Sequence, residues 1–104
     1  MLLREEQIAK FQKIFPEEAD RLSNLFGALA DRNRLRILRL FLERAGICVR
    51  DVAKILDISV SAASQHLKLL ELTNIVKHKK LGQMCCYEIN QDDKMVASLI
   101  KLII

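Results

Sequence analysis

The stretch between Cys48 and Ile89 limits the possible folds of this chain more than any other part. Its first half contains an apolar stripe with the i, i+3, i+4, i+7 spacing of a short amphipathic helix. That stripe consists of Val49, Val52, Ala53 and Leu56. A turn is expected at Asp57 and Ile58, and Ser59 is a typical N-cap for a second helix that runs to about Glu71. The pattern therefore predicts a helix-turn-helix.

The second of these helices has two different faces. Its apolar residues can face a core, and they are Ala62, Ala63, Leu67 and Leu70. A narrow polar face has the same helical spacing and consists of Ser61, Ser64, Gln65 and Lys68. Hydroxyl, amide and ammonium groups are the groups that contact base edges and phosphates. This face therefore favours nucleic-acid binding.

A β-hairpin is expected directly after the helix-turn-helix. Two β-prone runs, at about 75–80 and 84–89, flank Leu81, Gly82 and Gln83, and glycine supplies the positive φ that such a turn needs. His78, Lys79 and Lys80 place cationic groups near its tip. The segment from Arg32 to Lys80 carries eleven basic and four acidic residues, whereas the whole chain has a net charge of only +4. A basic hairpin after a helix-turn-helix predicts a winged helix that meets an anionic polymer.

The rest of the chain predicts further helices. They lie at about 3–14, from 17 onward, at 32–44 with Asp31 as N-cap, and at 91–103. Hydrophobic residues make up 51% of the 104 residues, with 5% aromatic residues, three glycines and one proline. The predicted fold class is mainly α with a small β-hairpin, in a single domain over 1–104. A Gly-rich phosphate loop, a Ser/His/Asp arrangement and a metal-ligand cluster are all missing from the sequence, so we do not expect an enzyme.

Three stretches together resemble the ArsR/SmtB family of metal- and stress-responsive repressors. They are Ala28 to Leu38, Ile58 to Leu70 and the predicted wing Lys79 to Tyr87. The resemblance covers about 22–89. It implies a homodimer in the cytoplasm that represses a promoter and is released by an inducer, with two recognition helices in successive major grooves of double-stranded DNA. It also implies that the first and last helices form the dimer interface.

Two departures from the family pattern concern its metal sites. A common arsenic, lead or cadmium site in the family uses Cys-x-Cys before the recognition helix, but here Cys48 is followed by Val49 and Arg50. The family's zinc site uses paired Asp/His and His/Glu ligands on the last helix, where this chain has Asp92 and Asp93 but no histidine. We therefore expect neither site in its usual form. No cofactor is assigned, and a thiophilic metal or metalloid ion remains one alternative.

The three cysteines admit a structural and a sensing interpretation. An odd number of cysteines in a chain without a secretion signal favours reduced thiols over a disulfide framework. Cys85 and Cys86 are adjacent in a strand and should point to opposite faces, so one of them should lie in the core. Cys48, Cys85 and Cys86 are the candidate sensing thiols, and a shared metalloid site between Cys48 and a wing cysteine is also considered.

We assign DNA contact to eight residues of the predicted recognition helix and wing. They are Ser59, Ser61, Ser64, Gln65, His66, Lys68, Lys79 and Lys80. His66 has two interpretations, donation to a phosphate or packing against the preceding helix, and His78 is expected to be solvated. Arg34 or Arg36 is expected to pair with Asp31.

The ends of the chain are expected to form the dimer interface. The last helix carries an apolar stripe with no later element to cover it, and the first helix places apolar residues on one side. The interface residues are Ile8, Phe11, Val96, Leu99, Ile100 and Ile103.

No signal-peptide pattern opens the sequence, and its longest apolar stretch is far shorter than a bilayer span, so we expect a soluble, intracellular protein with no membrane partner. The family resemblance implies that it is cytoplasmic. The predicted function is that of a dimeric, sequence-specific DNA-binding repressor released by a metal, metalloid or thiol-reactive signal. The alternatives are a winged-helix protein-interaction module and a regulator without a metal or thiol inducer.

Overall fold

The computed structural model describes residues 2–82 and 84–103, and the side chains of Lys80 and Leu81 fall outside that description. Within the described residues, six helices and three strands follow one another. They are α1 (Glu5–Gln12), α2 (Glu17–Leu29), α3 (Arg32–Glu43), β1 (Ile47–Cys48), α4 (Val49–Leu56), α5 (Val60–Leu72), β2 (Val76–Leu81), β3 (Met84–Ile89) and α6 (Lys94–Ile100). The mainly helical fold class is confirmed. Among the described residues, no helix has both the length and the apolar character that crossing a bilayer requires.

Short polar side chains begin the helices where the sequence predicts caps. Asp31 accepts hydrogen bonds from the backbone amides of Asn33 and Arg34 at 2.9 and 3.0 Å. Ser59 accepts one from the amide of Ala62 at 3.0 Å. Between α4 and α5 the chain reverses at Asp57, whose φ of 55° is the left-handed conformation that ends α4.

The sheet contains one strand more than the sequence predicts. The expected hairpin forms between β2 and β3, and Gly82 at its tip has a φ of +66°. The two-residue strand β1 pairs antiparallel with the other edge of β3, so that the strand order is β1-β3-β2. A strand this short gives no period-2 pattern in a sequence, and it forms because β3 has an edge available for pairing.

The core lies between α2, α3, α5, the sheet and α6. Its fully buried aliphatic side chains include Leu25, Ile37, Leu38, Val52, Leu67, Leu70, Ile75 and Val96. Since β-branched and leucine side chains from every layer meet there, the helix-turn-helix and the wing are attached to one common core.

The prediction that the last helix leaves its apolar stripe uncovered is wrong. Val96, Leu99 and Ile100 are buried within the same protomer, and Ile103 packs against that core while half-buried. The helix folds back onto surfaces made by earlier elements, which a stripe on its own cannot reveal. By contrast, α1 contributes no buried residue, and Ile8 and Phe11 are 44% and 45% exposed.

Candidate nucleic-acid interface

The helix α5 is seated on the core by one face and open to solvent on the other. Ala63, Leu67 and Leu70 are fully buried. Of the polar face, Ser61, Gln65 and Lys68 are exposed and Ser64 is half-buried. Burial of every third or fourth residue sets the rotation of the helix, and this rotation points an amide, an ammonium and hydroxyl groups outward together. Such a face can donate to and accept from base edges and phosphates.

His66 faces the neighbouring helix α3. Its Nδ1 lies 3.3 Å from Nη1 of Arg34, and Arg34 also donates from Nε to the carbonyl oxygen of Ala28 at 2.5 Å. The packing interpretation placed His66 against the preceding helix, which is α4, whereas this contact is made to α3. The same arginine lies 3.9 Å from the Asp31 carboxylate, which confirms the predicted pairing.

Asp31 serves both this cluster and the start of α3. The hydrogen bond from the Arg34 backbone amide lowers the pKa of the Asp31 carboxyl, against an opposing effect of burial, and the Arg34 and His66 charges lower it further. The recognition helix is thus braced through His66, Arg34 and Asp31. The sequence suggested the Asp31 contact but not the link from Arg34 to α5.

The wing carries fewer free cations than its sequence indicates. Nζ of Lys79 lies 3.5 Å from Glu88 on the paired strand, and Lys77 bonds Asp92 at 2.8 Å. The sequence placed Lys79 among the cationic groups near the tip but did not predict this pairing, which forms because the antiparallel register brings Glu88 close to it on the neighbouring strand. The side chain of Lys80, the other predicted wing contact, lies outside the described residues, as does Gln83.

His78 connects the wing to the recognition helix. Its Nδ1 pairs with the carboxylate of Glu71 near the end of α5, and its ring lies 4.4 Å from that of Tyr87. His78 is exposed as predicted, with about half of its side chain open to solvent, and the contact with Glu71 adds to that prediction. The contact could not be predicted from the sequence because Glu71 and His78 meet only after the chain turns at 73–75.

The expectation of three reduced thiols is wrong, because Cys48 and Cys86 form a disulfide. Antiparallel pairing of β1 with β3 places these two residues directly opposite each other, with Cα atoms 4.0 Å apart. Cys86 is fully buried, which confirms that one wing cysteine belongs to the core, whereas Cys85 is a free, exposed thiol. Sequence reasoning missed the pairing because it did not predict β1.

Tyr87 lies beside the free thiol. The Sγ atom of Cys85 is 3.9 Å from the phenolic oxygen. Burial of the ring raises the pKa of Tyr87 to about 12, and the hydrogen bond with the Cys85 thiol contributes to this increase. Within residues 2–82 and 84–103, no three His, Cys, Asp or Glu side chains cluster as ligands for a metal ion. With two of three sulfurs in the disulfide, a shared thiolate site for a metalloid does not fit this form of the chain.

Comparison with known proteins places the helix-turn-helix and wing among regulators. Residues 31–78 match the model of the bacterial regulatory protein, arsR family. A cadmium resistance transcriptional regulatory protein CadC homolog of Staphylococcus aureus is 35% identical over 80 residues, which are 77% of this chain and 64% of that protein. An uncharacterized HTH-type transcriptional regulator, MJ1325 of Methanocaldococcus jannaschii, is 33% identical over 84% of this chain and 96% of its own. The matches span 56% to 64% of the length of relatives named as CadC proteins or as a SmtB homolog.

Solved structures of similar fold include HlyU from Vibrio cholerae, with a TM-score of 0.74 and 28% identity over 86% of this chain and 94% of that one. A second is the homodimeric winged helix-turn-helix DNA-binding domain Mb0332 of Mycobacterium bovis, with a TM-score of 0.71 and 24% identity over 99% of this chain and 86% of that one. The similarity to Mb0332 concerns the fold alone, and that fold is the predicted winged helix-turn-helix.

Proposed function

The chain belongs to the arsR family of bacterial regulatory proteins, and from this premise we propose that it is a dimeric, sequence-specific DNA-binding repressor of transcription. Family membership confirms the resemblance inferred from the three sequence stretches. It supports a transcription regulator rather than an enzyme, since the relatives are named as transcriptional regulators. We place its action in the cytoplasm, where a regulator of this family meets DNA.

The observation that carries the proposal is the outward polar face of α5. Gln65 and Lys68 are exposed while Leu67 and Leu70, on the other side, are fully buried. This rotation suits a recognition helix in the major groove, with the amide of Gln65 at base edges and Lys68 near the phosphate backbone. Ser59 and Ser61, both exposed at the start of the helix, are in a position to contact phosphates through their hydroxyl groups.

The dimer is proposed from the exposed apolar side of α1. Ile8 and Phe11 are about half exposed, and further large apolar side chains are exposed nearby at Leu3, Ile14 and Phe15. A protomer of this size rarely leaves so many large apolar groups in water. Association through α1 would bury them and present two copies of α5 to two half-sites. Val96, Leu99 and Ile100 would support such an interface from within the core.

The alternative of a protein-interaction module has less support. Such a module need not keep a polar face on its second helix, whereas α5 keeps hydroxyl, amide and ammonium groups exposed together. For the inducer we propose a signal that acts on the cysteines rather than a resident metal ion. Its support is that the sulfurs of Cys48 and Cys86 are bonded to each other, which leaves Cys85 as the free thiol.

Binding to DNA from upstream of the chain's own gene tests the proposed function. We expect a fluorescence anisotropy titration to give tighter binding to one duplex than to a scrambled duplex of the same length, with an affinity that falls steeply as salt rises. Gln65→Ala should weaken the specific complex. Gln91→Ala, which removes another exposed amide outside α5, should not. Equal binding to both duplexes by the intact protein would contradict sequence-specific recognition.

A further inference from the structure

The Cys48–Cys86 disulfide joins the two parts of the proposed DNA-binding surface. Cys48 is the N-cap of α4, the first helix of the helix-turn-helix. Cys86 lies in β3, the central strand of the sheet and one arm of the wing. The bond therefore attaches the helix that supports α5 directly to the wing.

The attachment of α4 to the wing through β1 is short, whereas α5 contacts the wing separately through Glu71 and His78. Strand β1 pairs with β3 through only two residue pairs, Ile47 with Tyr87 and Cys48 with Cys86. The amide of Gly46 adds one hydrogen bond to the carbonyl of Tyr87 at 3.1 Å. A two-residue strand provides little stability by itself, so the covalent bond is a large part of the connection between β1 and β3.

One end of the disulfide can be reached from solvent. Cys86 is fully buried, but Cys48 is half-buried and lines an open cleft of about 270 Å³. Val49, Arg50, Met84 and Cys85 form the rest of the lining. The cleft is large enough for a small thiol, and the guanidinium of Arg50 favours the approach of an anionic thiolate.

We propose that Cys48 and Cys86 are a redox site for low-molecular-weight thiols, and that its reduction loosens the wing from α4 and weakens operator binding. The inference rests on the proposed function, for which it names the signal and the residues that receive it. The disulfide form is the tightly binding form.

The chemistry is thiol–disulfide exchange and needs two thiol equivalents. A thiolate attacks the accessible Sγ of Cys48, the Cys48–Cys86 bond breaks, and the Cys86 sulfur leaves with the electron pair and takes up a proton. A second thiolate attacks the mixed disulfide at the small molecule's sulfur, and Cys48 leaves and is protonated. The chain gains two electrons and two protons, and the two small thiols are oxidised to one disulfide. An oxidised small-molecule disulfide reverses the sequence.

The expected direction of the effect follows from preorganisation. With the bond intact, α5 and the wing reach DNA in a set relative position. After reduction, the two sulfur atoms are no longer bonded and must lie farther apart than in the disulfide. The Cα atoms are 4.0 Å apart, so this larger sulfur separation opposes the pairing of β1 with β3. The wing must then be ordered when the protein binds DNA, and this ordering lowers affinity.

The test compares the full chain in its two redox states under anaerobic conditions. Protein equilibrated with oxidised or with reduced glutathione is titrated against its upstream duplex, and alkylation followed by mass spectrometry counts one or three free thiols. We expect reduction to lower operator affinity by at least about five-fold and to speed amide hydrogen exchange in 76–89. Cys85→Ala should retain the full response, whereas Cys48→Ala should bind like the reduced protein in either buffer.

Each outcome separates the inference from the function. Equal or tighter operator binding after complete reduction overturns the inference and leaves the repressor proposal intact. Loss of the response in Cys85→Ala also overturns it, because the responsive thiol would then lie elsewhere. If neither state binds the duplex specifically, the proposed function fails and the inference fails with it. If Cys48→Ala folds poorly, amide hydrogen exchange of the wild-type chain still tests the inference. Unchanged exchange in 76–89 after reduction would contradict a loosened wing.

Discussion

Arg21 on α2 forms a two-fold contact with Asp93, the N-cap of α6, although 72 positions separate them in the chain. Nη1 of Arg21 donates to Oδ1 at 3.2 Å, and Nη2 pairs with Oδ2. The same carboxylate accepts hydrogen bonds from the amides of Met95 and Val96 at 3.1 and 3.2 Å. One side chain therefore begins the last helix and connects it to α2.

Removal of this carboxylate should destabilise the fold. Asp93→Ala deletes a helix cap together with its arginine contact, and we expect the free energy of unfolding to fall by about 1 to 2 kcal/mol. Its neighbour Asp92 is largely exposed and forms a surface ion pair with Lys77, so Asp92→Ala serves as the control and should have a much smaller effect. Urea unfolding followed by circular dichroism measures both. Equal losses in the two variants would mean that Asp93 does not carry the cap.

Low pH should reduce the free energy of unfolding, because it protonates the carboxylates that cap helices. Capping and arginine contacts lower the pKa values of Asp31 and Asp93 below their ordinary 3.8. A carboxylate with a lowered folded pKa stabilises the native state above its unfolded pKa, and this contribution is lost as pH falls through the folded pKa. The free energy of unfolding should therefore decline below pH 3.8. In Asp31→Asn/Asp93→Asn, where asparagine keeps the caps, the decline should be shallower. An unchanged slope would assign acid sensitivity to other carboxyls.

Two side chains of α5 should affect DNA binding in different ways. Gln65→Ala should relax the preference at one position of each half-site by about 1 to 3 kcal/mol, because an amide discriminates between base edges. Lys68→Ala should instead reduce affinity for every sequence and flatten its salt dependence, because an ammonium near phosphate carries no base information. Affinities for a set of single-base operator variants at several salt concentrations separate the two. Wild-type behaviour in both variants would place the DNA-binding surface elsewhere.

Association should depend on α1. Phe11→Glu puts a charge on its exposed apolar side, and we expect the dimer to dissociate at micromolar concentration in sedimentation equilibrium. Since α1 contributes no side chain to the core, the variant should fold normally. Ile55→Glu on α4 is a matched control, because Ile55 is also large, apolar and exposed. A wild-type chain that sediments as a monomer would contradict the proposed dimer.

The single tyrosine of the chain offers a direct probe of the wing. Because burial raises its pKa to about 12, Tyr87 should remain a phenol well above its ordinary 10.0 while the protein is folded. Ultraviolet absorbance of the phenolate reports this titration without interference from other tyrosines. Cys85→Ala removes the thiol contact but not the burial, so it should lower the pKa only in part. A folded-state titration near 10.0 would show that the ring is open to water.

Local patterns determined the order of elements from α3 to β3, apart from the two-residue strand β1. Caps at Asp31 and Ser59, the spacing of apolar residues in α4 and α5, and a glycine at the hairpin tip act over a few residues, so they can be predicted from neighbouring letters. The polar face of α5 follows from the same spacing, since a helix that buries Leu67 and Leu70 must turn Gln65 and Lys68 outward. The family resemblance depends on these segments too.

Tertiary structure decided the contacts between segments that are distant in sequence. The partners Cys48 and Cys86 stand 38 residues apart and meet because β1 finds the edge of β3. Burial of Val96, Leu99 and Ile100 depends on a surface made by earlier elements, and an apolar stripe looks the same whether it meets its own core or a second protomer. The spacing of apolar residues predicts which side chains are buried, but it does not predict which elements pack against them. That depends on the arrangement of all the packed elements in the folded chain.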